Sequence, residues 1–196
     1  MKYVKMLGLL AMAAASLMAF AGTASATTVT SPPGVTYTGH IEASSENGHV
    51  ILHASNGVTI ECAGFATGSL TSHGAALTAS GAISHLTFPG CTGGDTVTVI
   101  TAGSLEAHAI GGGNATLTSN GATITAVDGA TGVACEYTTS NTHVGVVTGA
   151  TTSTGHATLD INSAKIPRTG DSILCGSTAT WTGNYKVNTP TGLTFD

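Results

Sequence analysis

Short alternating runs separated by turn-forming residues are the feature of this sequence that most restricts its fold. The runs are rich in Val, Ile, Thr and Ala, and clusters of Gly, Asn or Ser interrupt them roughly every ten residues. No window carries the apolar period of a helix over a dozen positions, and the 27 glycines disfavour helix formation. The sequence therefore predicts an all-β fold.

Four Asn-Gly or Asp-Gly pairs mark predicted turns, because type I′ hairpin turns need a positive φ at both central residues. They are Asn47-Gly48, Asn56-Gly57, Asn120-Gly121 and Asp128-Gly129. The stretch Thr118-Ser-Asn-Gly-Ala122 lies between two alternating runs and is the clearest predicted hairpin.

The stretch from Cys175 to Val187 carries the only tryptophan and is predicted to be the central strand of the core. With a period of two, its inward face consists of Cys175, Ala179, Trp181, Gly183, Tyr185 and Val187. The order aromatic-Thr-Gly-polar-apolar occurs both here and in residues 37–41. We therefore expect the first and last strands to be neighbours, with Tyr37, Trp181 and Tyr185 in the core.

An even number of cysteines predicts disulfide bonds in an exported chain. The four are Cys62, Cys91, Cys135 and Cys175, and four cysteines allow three connectivities. Each half of the chain shows a strand with a cysteine, a hairpin and a return to a second cysteine, which favours Cys62 with Cys91 and Cys135 with Cys175. No C-x-x-C spacing occurs, so a zinc site is disfavoured.

The N-terminal residues have the order of a secretory signal peptide. Lys2 and Lys5 precede an apolar run, and Ala24-Ser-Ala26 matches a cleavage site. We expect a signal peptide at 1–26, an extended leader at 27–34 and a single β domain at 35–196. The two prolines of the leader predict that it is mobile or lies along a sheet edge. The protein is expected to be secreted or held at the cell surface.

The charge of the exported part excludes some partners. Without the signal peptide, three basic residues stand against ten acidic ones, a formal net charge of −7 with His neutral. Nucleic acid is excluded as a partner because the chain has no cluster of Lys or Arg. An outer-membrane barrel is disfavoured because the predicted strands are shorter than the ~9–11 residues that cross a bilayer, and no membrane contact is expected after cleavage.

Eight histidines, all beyond residue 26, are the most unusual feature with metal-binding or catalytic potential. His49 and His53 share a strand face, but residues four apart on a strand are separated by about 13 Å, too far to share an ion. Neither a G-x-S-x-G nucleophile elbow nor an H-E-x-x-H zinc motif occurs. The sequence therefore predicts no catalytic residue, no metal site and no cofactor.

Four segments resemble those of a group of small exported bacterial proteins, frequent in actinobacteria, that are rich in Thr and Gly and have two cysteine pairs. The segments are Ser31-Pro-Pro-Gly-Val-Thr-Tyr-Thr-Gly39, Gly113-Asn-Ala-Thr-Leu-Thr-Ser-Asn-Gly-Ala122, Ile166-Pro-Arg-Thr-Gly170 and Leu174-Cys-Gly-Ser-Thr-Ala-Thr-Trp-Thr-Gly-Asn-Tyr-Lys-Val187. The resemblance covers nearly all of residues 34–196. It implies export and a compact β fold, and no catalytic residues come with it.

These observations together predict a disulfide-stabilised two-sheet sandwich, immunoglobulin-like or jelly-roll-like. We expect an exported surface, matrix or binding module whose partner is unknown. One alternative is a secreted hydrolase, which a deep pocket joining His with Asp or Glu would support. Another is a self-assembling surface or biofilm protein, because low charge and Thr-x-Thr strand edges favour lateral association.

Overall fold

The structure is a computed structural model that describes residues 26–72 and 78–196, and strands joined by turns make up most of it. The strands are β1 (Val29–Thr30), β2 (Thr38–Ala54), β3 (Thr59–Cys62), β4 (Phe65–Thr71), β5 (Ala79–Thr87), β6 (Thr96–Thr101), β7 (Ser104–Gly111), β8 (Asn114–Asn120), β9 (Thr123–Val127), β10 (Ala134–Thr138), β11 (Thr142–Thr148), β12 (Thr158–Thr169), β13 (Thr178–Thr189) and β14 (Thr194–Phe195). A short 3-10 turn lies at Thr92–Gly94. The predicted all-β class is confirmed, whereas the predicted signal peptide lies outside the described residues except for Ala26. The described residues contain no helix with the length and apolarity needed to cross a membrane.

Eight strands close into a barrel. Neighbouring strands pair antiparallel in the order β11, β8, β7, β5, β4, β2, β13 and β12. The ring is closed by β11 and β12, where Val146–Thr148 pairs with Thr158–Asp160. The predicted two-sheet sandwich is therefore wrong. Strands that bury one face alternate in the same way in a sandwich and in a barrel, so alternation does not reveal whether the last pair of strands joins.

A second sheet continues from the barrel because the strands β2, β12 and β13 are long enough to belong to both parts. Beyond the barrel, β2 pairs with β3, β12 pairs with β10, and β9 and β6 follow β10. The gap between β3 and β6 is bridged by the segment that precedes β6: Ala63 N–H donates to Pro89 O at 3.0 Å, and Phe88 pairs with Val97. The predicted adjacency of the first and last long strands is confirmed, since β2 pairs with β13.

The long strands change direction where the barrel meets the second sheet. The register of β2 against β13 shifts between Gly183 and Tyr185, and that of β12 shifts between Ile161 and Ala164. Asn47 lies on β2 within the register shift against β13, and its φ is 58°. The predicted turn at Asn47-Gly48 is therefore a bulge within one strand, which bends it.

The remaining turn predictions divide into two outcomes. Asn56-Gly57 joins the paired strands β2 and β3, and Asp128-Gly129 lies between the paired strands β9 and β10, so these turns lie where they were predicted, but neither Asn56 nor Asp128 has the positive φ of a type I′ turn. The predicted hairpin at Thr118–Ala122 is wrong, because β8 pairs within the barrel and β9 within the second sheet. Gly121 does adopt a positive φ of 72°. Turn residues thus mark where the chain turns, but they determine neither the turn type nor the pairing partners.

Two hydrophobic clusters fill the two parts of the fold. The barrel cluster includes Leu70, Leu117, Val147, Ile161, Tyr185 and Phe195, and the second-sheet cluster includes Leu52, Ile60, Ile124, Tyr137 and Ile166. Trp181 and Phe88 pack against both clusters, with their rings edge to face at 5.7 Å. Trp181 therefore lies at the junction of the two parts.

Both predicted disulfides are present. Cys62–Cys91 joins the end of β3 to the segment before β6, and Cys135–Cys175 joins β10 to the loop between β12 and β13. All four cysteines belong to or pack against the second-sheet cluster, where Trp181 also packs. The bridges therefore reinforce the second sheet, where the strands do not form a complete ring.

The predicted leader, residues 27–34, does not lie loosely along an edge. Its strand β1 pairs with β14, and Thr27 and Val29 are fully buried. Thr27 Oγ1 accepts a hydrogen bond from Ala109 N at 3.0 Å, and Val29 packs in the barrel cluster. Only the Pro-Pro-Gly part is exposed. The leader is extended as predicted, and the burial of Thr27 and Val29 together with the pairing of β1 and β14 holds it in place.

Candidate ligand-binding cavities

The barrel encloses an apolar cavity of about 120 Å³, here called the barrel cavity. Leucine, isoleucine, valine and alanine side chains from the barrel strands form most of its wall, and Trp181 and Tyr185 complete it. Exposed Ala82 is also part of the wall, so the cavity approaches solvent beside β4 and β5. An eight-stranded barrel is just wide enough to be filled by side chains or to hold one small ligand.

Two further cavities continue the line of the barrel cavity into the second sheet. The junction void, of about 30 Å³, shares Trp181 with the barrel cavity. The end cavity, of about 210 Å³, shares Tyr137 with the junction void and reaches exposed Asn56, Thr131 and Leu174. Leu86 and Ala122 line the first boundary together with Trp181, and Leu52 and Ile60 line the second together with Tyr137, so the three cavities follow one another through the molecule.

Polar atoms of three aromatic residues are buried along this line. Within the described part of the chain, Tyr137 Oη, Trp181 Nε1 and Tyr185 Oη are the buried side-chain nitrogen and oxygen atoms without a hydrogen bond of normal geometry. Buried polar groups are nearly always paired in proteins, and leaving one unpaired costs about 1–3 kcal/mol. All three residues line cavities, but these atoms have almost no accessible surface and are therefore packed within the cavity walls.

Burial also raises the pKa of two tyrosines. It raises the pKa of Tyr185, although hydrogen bonding from the Trp181 side chain opposes the rise. Burial likewise raises the pKa of Tyr137, against the opposing positive charge of Arg168. Both hydroxyl groups therefore keep their protons at neutral pH and can donate hydrogen bonds.

The polar side chains at the mouth of the end cavity already bind protein atoms. Asn56 Nδ2 donates to Leu174 O at 2.8 Å, and its Oδ1 accepts from Val58 N at 3.3 Å. Asp128 accepts from Thr131 Oγ1 at 2.8 Å and from Ala130 N at 2.9 Å. The bond from Thr131, which has the larger effect, and the bond from Ala130 both lower the pKa of the Asp128 carboxyl group. The mouth therefore carries one negative charge.

The histidines lie apart from the cavities. His40, His49, His53, His85, His108, His143 and His156 are exposed, none of them lines the three cavities, and His73 lies outside the described residues. His40 approaches Glu42 at 3.1 Å and His49 approaches Glu61 at 3.2 Å. Residues 26–72 and 78–196 contain no group of three or more His, Cys, Asp or Glu that could hold a metal ion.

The three residues predicted as core occupy different environments. Tyr185 is buried, Trp181 is half-buried between the clusters, and half-buried Tyr37 packs against the barrel cluster while its hydroxyl donates to His40 O. Tyr137 was not predicted, although it is among the most completely buried side chains. The alternation of β10 places it on the same face as Cys135, and this signal could have identified it.

Comparison of the chain with protein families, with curated proteins and with solved structures found no match. The barrel and its cavities must therefore support any functional argument themselves.

Proposed function

We propose that this protein is an exported binding module that holds one small apolar molecule in its barrel cavity. The observation that carries the proposal is a closed eight-stranded barrel around an apolar cavity of about 120 Å³. Protein interiors are close-packed, and large voids are rare. At about 24 cal/mol per Å³, leaving this cavity empty costs about 3 kcal/mol, which a ligand that fills it would restore.

The wall of the cavity supports the chemical class of this ligand. Leu70, Leu105 and Leu117 contribute apolar surface, and no charged side chain lines the cavity. A charged ligand would lose its hydration without gaining a counter-ion. The polar residues of the wall are Thr67, Ser119, Trp181 and Tyr185, and the Trp181 Nε1 and Tyr185 Oη atoms are buried within it, so the ligand would meet an almost entirely apolar surface. At about 120 Å³ the cavity is somewhat smaller than the cavity of about 150 Å³ that binds benzene, so the ligand is of benzene size or smaller.

Export is supported by sequence and by the disulfides. The signal-peptide pattern of residues 1–26 is one argument, and the resemblance to small exported bacterial proteins is a second. Disulfides such as Cys62–Cys91 form and persist in oxidising compartments outside the cytoplasm. A carrier or sensor of small apolar molecules outside the cell is consistent with these features.

Benzene tests the proposal, and the single tryptophan, Trp181, reports on binding because it lines the cavity. We expect a saturable change in tryptophan emission and a rise in thermal stability. At a benzene concentration of 100 times the Kd, the stabilisation should be about 2.7 kcal/mol. Absence of both changes up to the solubility limit of benzene would refute the proposal.

Two leucine variants on β7 locate the binding site. Ala107 lines the cavity, so Ala107→Leu should fill it and reduce benzene binding by at least tenfold. The neighbouring Glu106 is exposed and does not line the cavity, so Glu106→Leu should bind benzene as the unaltered protein does. Equal binding by both variants would place benzene elsewhere.

A further inference from the structure

Strands β5 and β6 run side by side in the wall of the molecule without forming a ladder. β5 pairs with β4 from Ser80 to Thr87, but with β7 only over residues 79–82. β6 pairs with β9, and within the described residues no other strand pairs with it. Residues 84–87 of β5 and 98–101 of β6 are together called the seam.

Contacts at both ends hold the two sides of the seam opposite each other. Ile83 N–H donates a hydrogen bond to Gly103 O at 3.4 Å beyond one end. Phe88 and Val97 form an isolated antiparallel bridge beyond the other end. The two backbone edges of the seam therefore face each other, although no ladder joins them.

A β-bulge lies on each side of the seam. The register of β5 against β4 shifts at Ser84, which is the extra residue of that strand. The register of β6 against β9 shifts at Ile100, which is the extra residue there. An extra residue bends its strand and increases the local twist. Bends in both strands account for the missing ladder between the two ends of the seam.

The seam leads from the surface to the apolar interior. Ser84, His85 and Ile100 are exposed, whereas Leu86 is 7% exposed. Leu86 lines both the barrel cavity and the junction void, and Ile83 next to the seam also lines the barrel cavity. Leu86 therefore lies behind the seam and borders both cavities.

The two ends of the barrel are covered by other parts of the fold that the structure describes. At one end β14 binds the turn between β7 and β8, where Phe195 N–H donates to Gly113 O at 3.0 Å. Leu193 and Phe195 are buried there and line the barrel cavity. At the other end the barrel continues into the second sheet. The seam, in the side of the wall, is therefore the more direct route to the cavity.

The seam has no charged side chain. Residues 79–94 and 96–105, which include both of its sides, contain no Asp, Glu, Lys or Arg. Ile100 is 58% exposed and gives the rim an apolar surface. Transfer of apolar surface out of water is favourable, and passage across this rim requires no charged group to lose its hydration. The seam therefore suits a neutral, apolar molecule.

We propose that the seam is the entrance through which a small apolar molecule reaches the barrel cavity, an inference that rests on the proposed function of that cavity. The molecule passes between the unpaired edges of β5 and β6, and the Leu86 side chain moves aside to admit it. Because an entrance is used in both directions, obstruction of the seam changes the association and dissociation rates by the same factor and leaves the Kd unchanged.

Two cysteine variants test the entrance in the folded, disulfide-bonded protein. Ile100→Cys places a thiol on the seam. Ile110→Cys places one near the end of β7, where Ile110 is similarly exposed, at 53%, and lines none of the cavities. All four native cysteines are in disulfides, so only the introduced thiol reacts. Each variant is capped through a disulfide with either a small methylthio group or bulky glutathione.

Benzene exchange is measured by NMR relaxation dispersion on the methyl groups of Leu117, which lines the barrel cavity. Glutathione at position 100 should slow both association and dissociation by about tenfold or more, whereas the methylthio cap there and both caps at position 110 should not. Equal rates for the two caps at position 100, or equal slowing by glutathione at position 110, would overturn the proposal.

Acrylamide quenching of Trp181 tests the entrance without a bound ligand. Trp181 is the only tryptophan, and it lines the two cavities behind the seam. Glutathione at position 100 should lower the quenching constant relative to the methylthio cap, and unchanged quenching would overturn the proposal. If quenching falls but no form binds benzene, the proposed function fails and the entrance stands. Thr98→Cys, also exposed and on the seam, replaces Ile100→Cys if that variant does not fold.

Discussion

Replacing Gly183 by alanine should destabilise the junction between the barrel and the second sheet. A Cβ at Gly183 would lie 2.6 Å from Val50 Cγ1, 3.1 Å from its Cβ and 3.3 Å from its Cα. Carbon atoms pack favourably at about 3.5–4.0 Å. Rotation of the Val50 side chain would move Cγ1 but not the other two atoms, so the strands themselves must separate.

The expected cost follows from two opposing effects. Overpacking of this kind costs about 1–3 kcal/mol. A Gly-to-Ala change also reduces the entropy of the unfolded chain, which stabilises by about 0.4–1 kcal/mol. We therefore expect Gly183→Ala to lower the free energy of unfolding by about 1–2 kcal/mol, measured by urea denaturation with an unchanged m-value.

Gly81→Ala is the matched control. Gly81 lies in β5 and lines the barrel cavity, and the nearest atoms to an added Cβ are at 3.4, 3.5 and 3.8 Å. This variant should be as stable as the unaltered protein or more stable by up to about 1 kcal/mol. The reasoning is refuted if Gly183→Ala is as stable as Gly81→Ala.

A double-mutant cycle with Val50→Ala identifies the contact that causes the loss. Val50→Ala removes Cγ1, the atom nearest to the added methyl group. The combined cost of Val50→Ala and Gly183→Ala should therefore be smaller than the sum of the separate costs by at least about 0.5 kcal/mol. Additive costs would show that the clash with Val50 is not the cause.

Three further predictions concern the disulfides and two ionisable residues. Replacing Cys62 and Cys91 by alanine should lower the free energy of unfolding by about 3–4 kcal/mol in urea, because the bridge closes a loop across 29 positions; an unchanged urea midpoint would contradict this. The pKa of the Asp128 carboxyl group, measured by NMR titration, should lie below 3.8 because its hydrogen bonds lower it. The stability that the carboxylate provides is present above pH 3.8 and is lost as the pH falls through the lowered pKa. Asp128→Asn should therefore lack this pH-dependent loss of stability. Tyr185→Phe should gain stability relative to the unaltered protein as the pH rises above 10.0, because the unfolded tyrosine ionises there while burial raises the folded pKa; parallel pH profiles would exclude this.

Much of the local structure could be predicted from the sequence. The alternation from Cys175 to Val187 correctly assigned the buried face of β13, because each strand residue points to the opposite side from its neighbours. The repeated strand–cysteine–hairpin pattern correctly paired the cysteines. The candidate cavities were not predicted, since they lie between strands that are distant in the chain, and Tyr137 gave no sign beyond the alternation of β10.

The sequence by itself determined an all-β chain with two disulfides and with its tryptophan strand beside its first long strand. Only the tertiary structure decided that β11 reaches β12 and closes a barrel, that β8 and β9 separate at Gly121, and that Val29 is buried beside β14. The physical reason is that side-chain alternation and turn residues act over a few positions. Strand partners are chosen by the burial of whole faces, and closure of the barrel leaves the space inside it that a ligand can occupy.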